Sequence, residues 1–276
     1  MKKILKKKLV EALKDQKEIF GDELFEKYPL GKTKTEAVAD KTRTAAKDTF
    51  ANTVETVHVS KPKDKETSFF ERPLEDWEKT TDLEKLNRLI CNCRKCPLGN
   101  TRNKFVFGSG NPSADVMVVG EGPGADEDAQ GLPFVGRAGK LLTDILKAIK
   151  FERDEVYIAN VVKCRPPGNR TPYPQEMETC MPYLRKQIEL IKPKLILCLG
   201  LTAAQGLLKK KDSLTKMRGK LFELDYSPEY GMNGLKPVKV MVTYHPAALL
   251  RNPGWKRGCW EDVQKFKKLY DESFNS

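Results

Sequence analysis

Val116-Met117-Val118-Val119-Gly120-Glu121-Gly122-Pro123-Gly124-Ala125-Asp126-Glu127-Asp128, running on through Gly131-Leu132-Pro133-Phe134-Val135-Gly136-Arg137-Ala138-Gly139-Lys140, joins a run of apolar β-formers to a turn rich in glycine and proline. An apolar run stopped this abruptly reads as a buried strand. Leu141, Leu142, Ile145 and Leu146 then recur at helical spacing. In an open α/β sheet the loops leaving the carboxyl ends of strands hold ligands. Glycines there let backbone N–H groups approach a ligand that side chains would keep away. The stretch is thus a ligand site, a nucleotide-phosphate loop, or a structural βα turn.

Working outward, the same texture recurs. Asp115–Gly120, Val156–Val162, Lys194–Gly200 and Val238–Tyr244 read as buried strands, and Leu83–Ile90, Arg137–Ile149, Pro174–Ile191, Leu201–Lys209 and Lys256–Tyr270 as helices. Strands too apolar to have a wet face, alternating with helices, imply a parallel sheet covered on both sides. The expected fold is a three-layer α/β/α sandwich around a central four-stranded parallel sheet. Residues 81–276 would form this domain. Residues 1–80 form a basic extension: Met1–Phe20 has the spacing of a basic amphipathic helix, and 31–65 reads as a flexible linker. That arm would hold DNA non-specifically, stay solvated, or dock a partner.

A formal net charge of +12 over 276 residues favours a polyanionic partner, nucleic acid before membrane. No apolar run approaches the roughly 18 residues a membrane-spanning helix needs. Glu11 and Asp15 interrupt any secretory apolar core near the N-terminus. Seven unevenly spread cysteines argue for thiolate ligands in a reducing compartment rather than a disulfide framework, which makes the chain cytoplasmic.

Cys93-Arg94-Lys95-Cys96 places two thiols two residues apart, and Cys164 and Cys180 follow. The short gap lets two sulfurs face one centre, and two more from a distant loop complete four-thiolate ligation. Either structural zinc or an iron–sulfur cluster suits such a set; the wide second spacing favours iron–sulfur. Cys91 is an alternative to Cys93. Cys198 lies in a strand pattern and Cys259 in a helix, where both read as core residues.

Two polar residues stand out at strand ends. Asn160 sits in Tyr157-Ile158-Ala159-Asn160-Val161-Val162 and is either a structural amide or a ligand reader. His245, one of two histidines, follows Val242-Thr243-Tyr244 and is either a capped core residue or part of a site. With Glu121 they converge on one edge of the expected sheet, which makes a site there more plausible than any of them does alone.

Gly120-Glu121-Gly122-Pro123-Gly124, the Gly131–Gly136 segment, Asn160-Val161-Val162-Lys163-Cys164-Arg165-Pro166, and His245-Pro246 followed by Leu250-Arg251-Asn252-Pro253 closely resemble the motifs of family 4 uracil-DNA glycosylases, and Cys93, Cys96, Cys164 and Cys180 fall where that family carries its 4Fe–4S cluster. The resemblance spans about residues 81–270. It implies a monomeric, monofunctional enzyme that extrudes uracil from single- or double-stranded DNA and hydrolyses its N-glycosidic bond, leaving an abasic site. Phe134 would stack on the uracil, and Asn160 would read its N3–H and O4. His245 would donate to O2 as charge gathers there, helped by the Glu121 and Gly122 amides, with Pro123 lining the pocket. Glu121 and Glu155 are the candidates for orienting the water, because other uracil-DNA glycosylases carry an aspartate where this chain has Gly122. Glu127 or a neighbour would crowd the base at C5. The Ala247–Arg251 loop would fill the space of the flipped base, with Leu249 or Leu250 as plug and Arg251 on phosphate. The cluster would be a structural staple, with Lys163 and Arg165 beside it facing the DNA backbone. The rival readings are a base-binding module without turnover and a zinc-stabilised nucleotide-binding protein.

Overall fold

A computed structural model describes residues 55–57, 73–224 and 237–274. The expected basic helix over Met1–Phe20, and most of the expected linker, lie outside them. The described strands are β1 (Glu55–Val57), β2 (Ser109–Gly110), β3 (Val116–Gly120), β4 (Tyr157–Asn160), β5 (Leu195–Leu199), β6 (Leu221–Leu224) and β7 (Val238–Thr243), in sheet order β1-β6-β7-β5-β3-β4-β2. The middle four, β7-β5-β3-β4, are mutually parallel, as the apolar runs imply. Antiparallel strands flank them, β2 on β4 and β6 on β7, with β1 outside β6. These flanking strands escape sequence detection because β2 has two residues and β6 only alternates between half-buried and buried positions.

Strand pleating divides the core in two. Met117, Val119, Ile196, Cys198, Val240 and Val242 face one layer of helices, α2 (Leu83–Ile90), α6 (Pro174–Ile191) and α7 (Leu201–Leu208). Val116, Val118, Leu195, Leu197 and Met241 face the other, α5 (Arg137–Ala148) and α10 (Lys256–Phe274). Successive side chains on a strand point to opposite faces, so a strand buried on both reads as an unbroken apolar run. Cys198 and Cys259 are core residues, as expected.

Short helices also go undetected in the sequence, α3 (Leu98–Thr101) and α8 (Leu214–Met217) among them. α1 (Asp76–Lys79) and α4 (Ala125–Gln130) are too brief for apolar periodicity; each is set by a glutamate at its third position that bonds back to the N-cap amide. The folded body therefore begins before residue 81. Glu55–Val57, inside the stretch read as linker, runs parallel to β6. Trp77 is buried against the α2/α6 layer, edge-on to Tyr183 at 4.8 Å between centroids. Among the described residues no helix is long and apolar enough to cross a membrane.

Replacing Trp77 by alanine should destabilise the fold by about 3 kcal/mol, the cost of truncating a large buried aromatic ring. Denaturant unfolding of the full chain measures it. Wild-type stability in Trp77→Ala would make the segment before residue 81 an appendage.

Candidate active site

A cleft of about 390 Å³ opens at the carboxyl edge of the parallel strands, lined by Glu121, Pro123, Phe134, Asn160, His245 and Arg251 among others. The β3–β4 ladder sets its floor. Gly120 pairs with Asn160, and the pattern continues beyond the strands as Val161 N donates to Gly120 O and Val162 N to Glu121 O, at 2.9 and 3.1 Å. The first turn is thereby fixed against the second strand. At Gly120 a Cβ would lie 2.5 Å from Asn160 Oδ1 and 2.6 Å from Phe134 Cζ, so glycine is what lets the amide and the ring converge.

Asn160 is 1% exposed, and its Oδ1 is the one buried side-chain polar atom without a hydrogen-bond partner among the described residues. A buried acceptor left unpaired costs roughly 1–3 kcal/mol. An acceptor kept in that condition at a cleft wall is suited to a donor brought by a ligand. The Asn160 backbone is pinned from behind: Lys163 Nζ donates to its carbonyl at 2.9 Å and to Gln187 Oε1 at 2.5 Å.

Phe134 faces the same space. Its backbone lies in the left-handed region (φ +52°), a conformation costly for a bulky side chain and tolerated where surrounding contacts enforce it. Those contacts are explicit. Glu127 accepts from the Val135 and Gly136 amides at 2.9 and 3.1 Å through one oxygen and from Gly124 N at 3.0 Å through the other. Arg153 donates to Pro133 O at 2.7 Å. Gly139 lies so close to the Phe134 carbonyl that any side chain there would collide.

The His245 ring lies 5.5 Å from that of Phe134, with planes 31° apart. His245 caps α9 (Pro246–Arg251), its Nδ1 accepting from Ala247 N at 3.1 Å. A ring nitrogen that accepts carries no proton, so in the neutral imidazole Nε2 is the donor. Burial, reinforced by the Arg251 charge and opposed by Glu127, pulls the pKa of His245 down to about 4. The ring is therefore uncharged at neutral pH and presents a single N–H.

The family pattern of the uracil DNA glycosylase superfamily matches residues 107–265, more than half of the chain and every wall of this cleft. The chain is 44% identical to the type-4 uracil-DNA glycosylase of Archaeoglobus fulgidus over 191 residues, 68% of this chain and 92% of that one. The corresponding enzyme of Sulfurisphaera tokodaii is 45% identical over 192 residues, 68% of this chain and 84% of the relative. That of Thermotoga maritima is 44% identical over 190 residues, 68% and 94%. This chain belongs to the type-4 uracil-DNA glycosylase family.

Not every family residue expected from the sequence stands at the cleft. Glu155 does not join it. It is exposed, accepts from Glu152 N at 2.7 Å, and precedes β4, whereas the cleft lies past the other end of that strand. At about 3.3 Å per residue, β4 from Tyr157 to Asn160 alone puts about 10 Å between Asn160 and the turn that holds Glu155. Ala247–Arg251 is helical rather than a loop, and this separates the two leucines: Leu249 is fully buried in the core, while Leu250 is 39% exposed. Leu249 is thus no plug. Lys163 is fully buried and cannot face DNA. Glu127 lines the cleft, but its carboxylate is occupied by three amides and holds the Phe134 loop. Among the residues sequence reasoning passed over, Arg153 and Gln187 act as braces. Asn169, Arg170 and Thr171 complete the cleft wall from the loop after β4, where Arg170 is forked on Glu176 at 2.7 and 2.9 Å.

The four expected thiols share one neighbourhood. Cys93 and Cys96 both bear electrostatically on Cys164, and Cys164 and Cys96 on Cys180. Their sulfurs attract hydrogen bonds: Tyr183 Oη to Cys93 at 3.3 Å, Arg102 Nη1 to Cys164 at 3.2 Å, and Lys163 N to Cys180 at 3.4 Å. Cys91 is turned elsewhere, its thiol on Arg88 O at 3.5 Å. Burial pushes Cys164 up to about 11 and Cys180 up to about 12, so both stay protonated at neutral pH unless a cation binds. Among the described residues no three or more His, Cys, Asp or Glu are drawn together as ligands of a single metal ion. A set of soft sulfur donors surrounded by N–H and O–H groups nevertheless suits a thiolate-ligated centre.

Proton NMR of the histidine rings, with His245→Ala to assign them, should show His245 neutral down to about pH 4. A midpoint near the ordinary 6.5 would show that the cleft wall does not desolvate it.

Proposed function

We propose that this chain removes uracil from DNA by hydrolysing the N-glycosidic bond, leaving an abasic site. The observation that carries the reading is the buried, unpartnered Oδ1 of Asn160 in the cleft that the Phe134 and His245 rings also line. Uracil supplies what that arrangement lacks. Its N3–H donates to Oδ1, its face covers Phe134, and its O2 accepts from His245 Nε2. Cytosine has an acceptor where uracil has N3–H and would leave Oδ1 unpaired. Discrimination of about 4 orders of magnitude is typical when a site built for a hydrogen bond meets an analogue lacking it.

As the bond from C1′ to N1 breaks, electrons move into the uracil ring and charge gathers on O2. A neutral donor fixed in place stabilises that oxyanion without first giving up a proton. Water then adds to C1′ and releases its proton to solvent. Glu121, at the cleft wall, is the remaining candidate for orienting that water. Leu250 would occupy the space left in the stack and Arg251 would contact phosphate; both project from α9 directly after His245. Single- and double-stranded DNA both fit, since extrusion costs less where pairing is absent. The chain is proposed to act as a monomer. The cysteine usage supports a cytoplasmic setting. The basic N-terminal extension is proposed to add non-specific DNA affinity or to dock a repair partner.

Cys93, Cys96, Cys164 and Cys180 would hold a 4Fe–4S cluster. When bound it would supply structural cross-linking, tying the segment after α2 to the segment after β4 and to α6. No step of the hydrolysis needs it.

Incubating the chain with a uracil-containing oligonucleotide should release free uracil. His245→Ala should slow single-turnover excision by about 10²–10³-fold, the usual loss for one oxyanion donor. Asn160→Ala should abolish preference for uracil while leaving affinity for undamaged DNA nearly intact; equal loss of both would remove its base-reading role. Purified protein should be brown, with absorbance near 400 nm that Cys164→Ser eliminates. Colourless protein containing stoichiometric zinc would overturn the cluster assignment.

A further inference from the structure

The chain has three tryptophans, and they divide sharply. Trp77 and Trp260 lie in the two cores at 9% and 6% exposure, whereas Trp255 is 44% exposed. Trp255 closes the short turn Pro253–Trp255 that follows α9, the helix bearing His245 at its cap and Leu250 and Arg251 near its end. One face of its ring is stacked on Tyr244, with centroids 5.1 Å apart and planes 21° from parallel. Tyr244 immediately precedes His245. Arg218 lies 5.0 Å from the Tyr244 centroid and is itself forked on buried Asp262 at 2.9 and 3.0 Å. The pile Arg218, Tyr244, Trp255 is therefore anchored at its inner end and exposed at its outer one.

An indole that merely filled space would be as buried as the other two. This one is held rigid and left wet next to the segment that meets the cleft. An exposed aromatic face beside cationic residues (Arg251 and Lys256, with Arg257 paired to Glu261 at 3.3 Å) is the arrangement on which single-stranded nucleic acid stacks its bases. We infer that Trp255 is a stacking platform for a nucleobase neighbouring the extruded uracil. The inference rests on the glycosylase reading and adds to it a contact outside the uracil pocket. Stacking accepts any base, so the platform grips the strand without restricting sequence context. It serves single strands most, because their bases are not already held by pairing.

Because Trp255 is the exposed tryptophan of the three, the long-wavelength part of the indole emission, taken as the difference from Trp255→Leu, reports on it. The full chain is titrated with a single-stranded oligonucleotide containing 2′-fluoro-2′-deoxyuridine, whose N-glycosidic bond resists cleavage. A second oligonucleotide carries tetrahydrofuran abasic residues on both sides of that nucleotide. The first should quench the emission and the second should not. Trp255→Leu should remove the quenching and weaken binding of the first oligonucleotide by about 10-fold, on the order of one lost base stack, raising KM rather than lowering the saturated single-turnover rate. Trp255→Phe, which keeps a ring, should recover most of the affinity. Quenching that ignores the abasic flanks, or undiminished affinity in Trp255→Leu, would overturn the platform while leaving uracil release by the wild type intact. Failure of the wild type to release uracil would instead remove the reading on which the platform rests.

Discussion

A buried carbonyl with nothing to accept from is the constraint to which the rest of the site answers. Asn160 Oδ1 is held without a partner, and a free side chain would rotate to find one. It stays because the parallel pairing of Asn160 with Gly120 fixes its backbone, Lys163 ties its main-chain carbonyl from below, and the absence of a side chain at Gly120 leaves its place open. The unsatisfied acceptor is a small, local expense of stability that a ligand donor recovers on binding. Pre-organisation of this kind places selectivity in the protein before any substrate arrives.

The two rings that complete the cleft are positioned by similar means. Phe134 occupies a left-handed backbone conformation because a glutamate, an arginine and a tightly apposed glycine leave the loop no alternative. His245 has its orientation set by a helix-capping bond through one nitrogen, which commits the proton to the other. Burial then keeps the ring uncharged. A fixed neutral dipole and a fixed acceptor face a common space, and neither must rearrange as charge develops.

Much of this was readable from the residues alone. The four parallel strands announce themselves as apolar runs because both their faces are covered, and polar residues at their carboxyl ends mark the site edge that parallel topology creates. What escaped detection depends on neighbours distant in sequence. Leu249 and Leu250 are chemically identical, and only the rotation of a helix buries one and exposes the other. Glu155 stands beside a site strand in sequence yet at its far end in space. Lys163 reads as a surface cation until Gln187, 24 residues on, gives it a buried partner. Glu127 reads as a residue that crowds the base at C5, but its carboxylate is taken up by three loop amides. The edge strands and short helices fall below the length at which periodicity is visible.

Lys163 also joins two regions far apart in role. Its ammonium grips the Asn160 carbonyl while its own backbone amide reaches the sulfur of Cys180, and the next residue is Cys164. Asn160, the Lys163 that braces it and Cys164 therefore share one short piece of chain, with Cys180 held against it. A change at Cys164 or Cys180 is thus delivered to the residue that braces the cleft wall, which makes the two regions one mechanical unit.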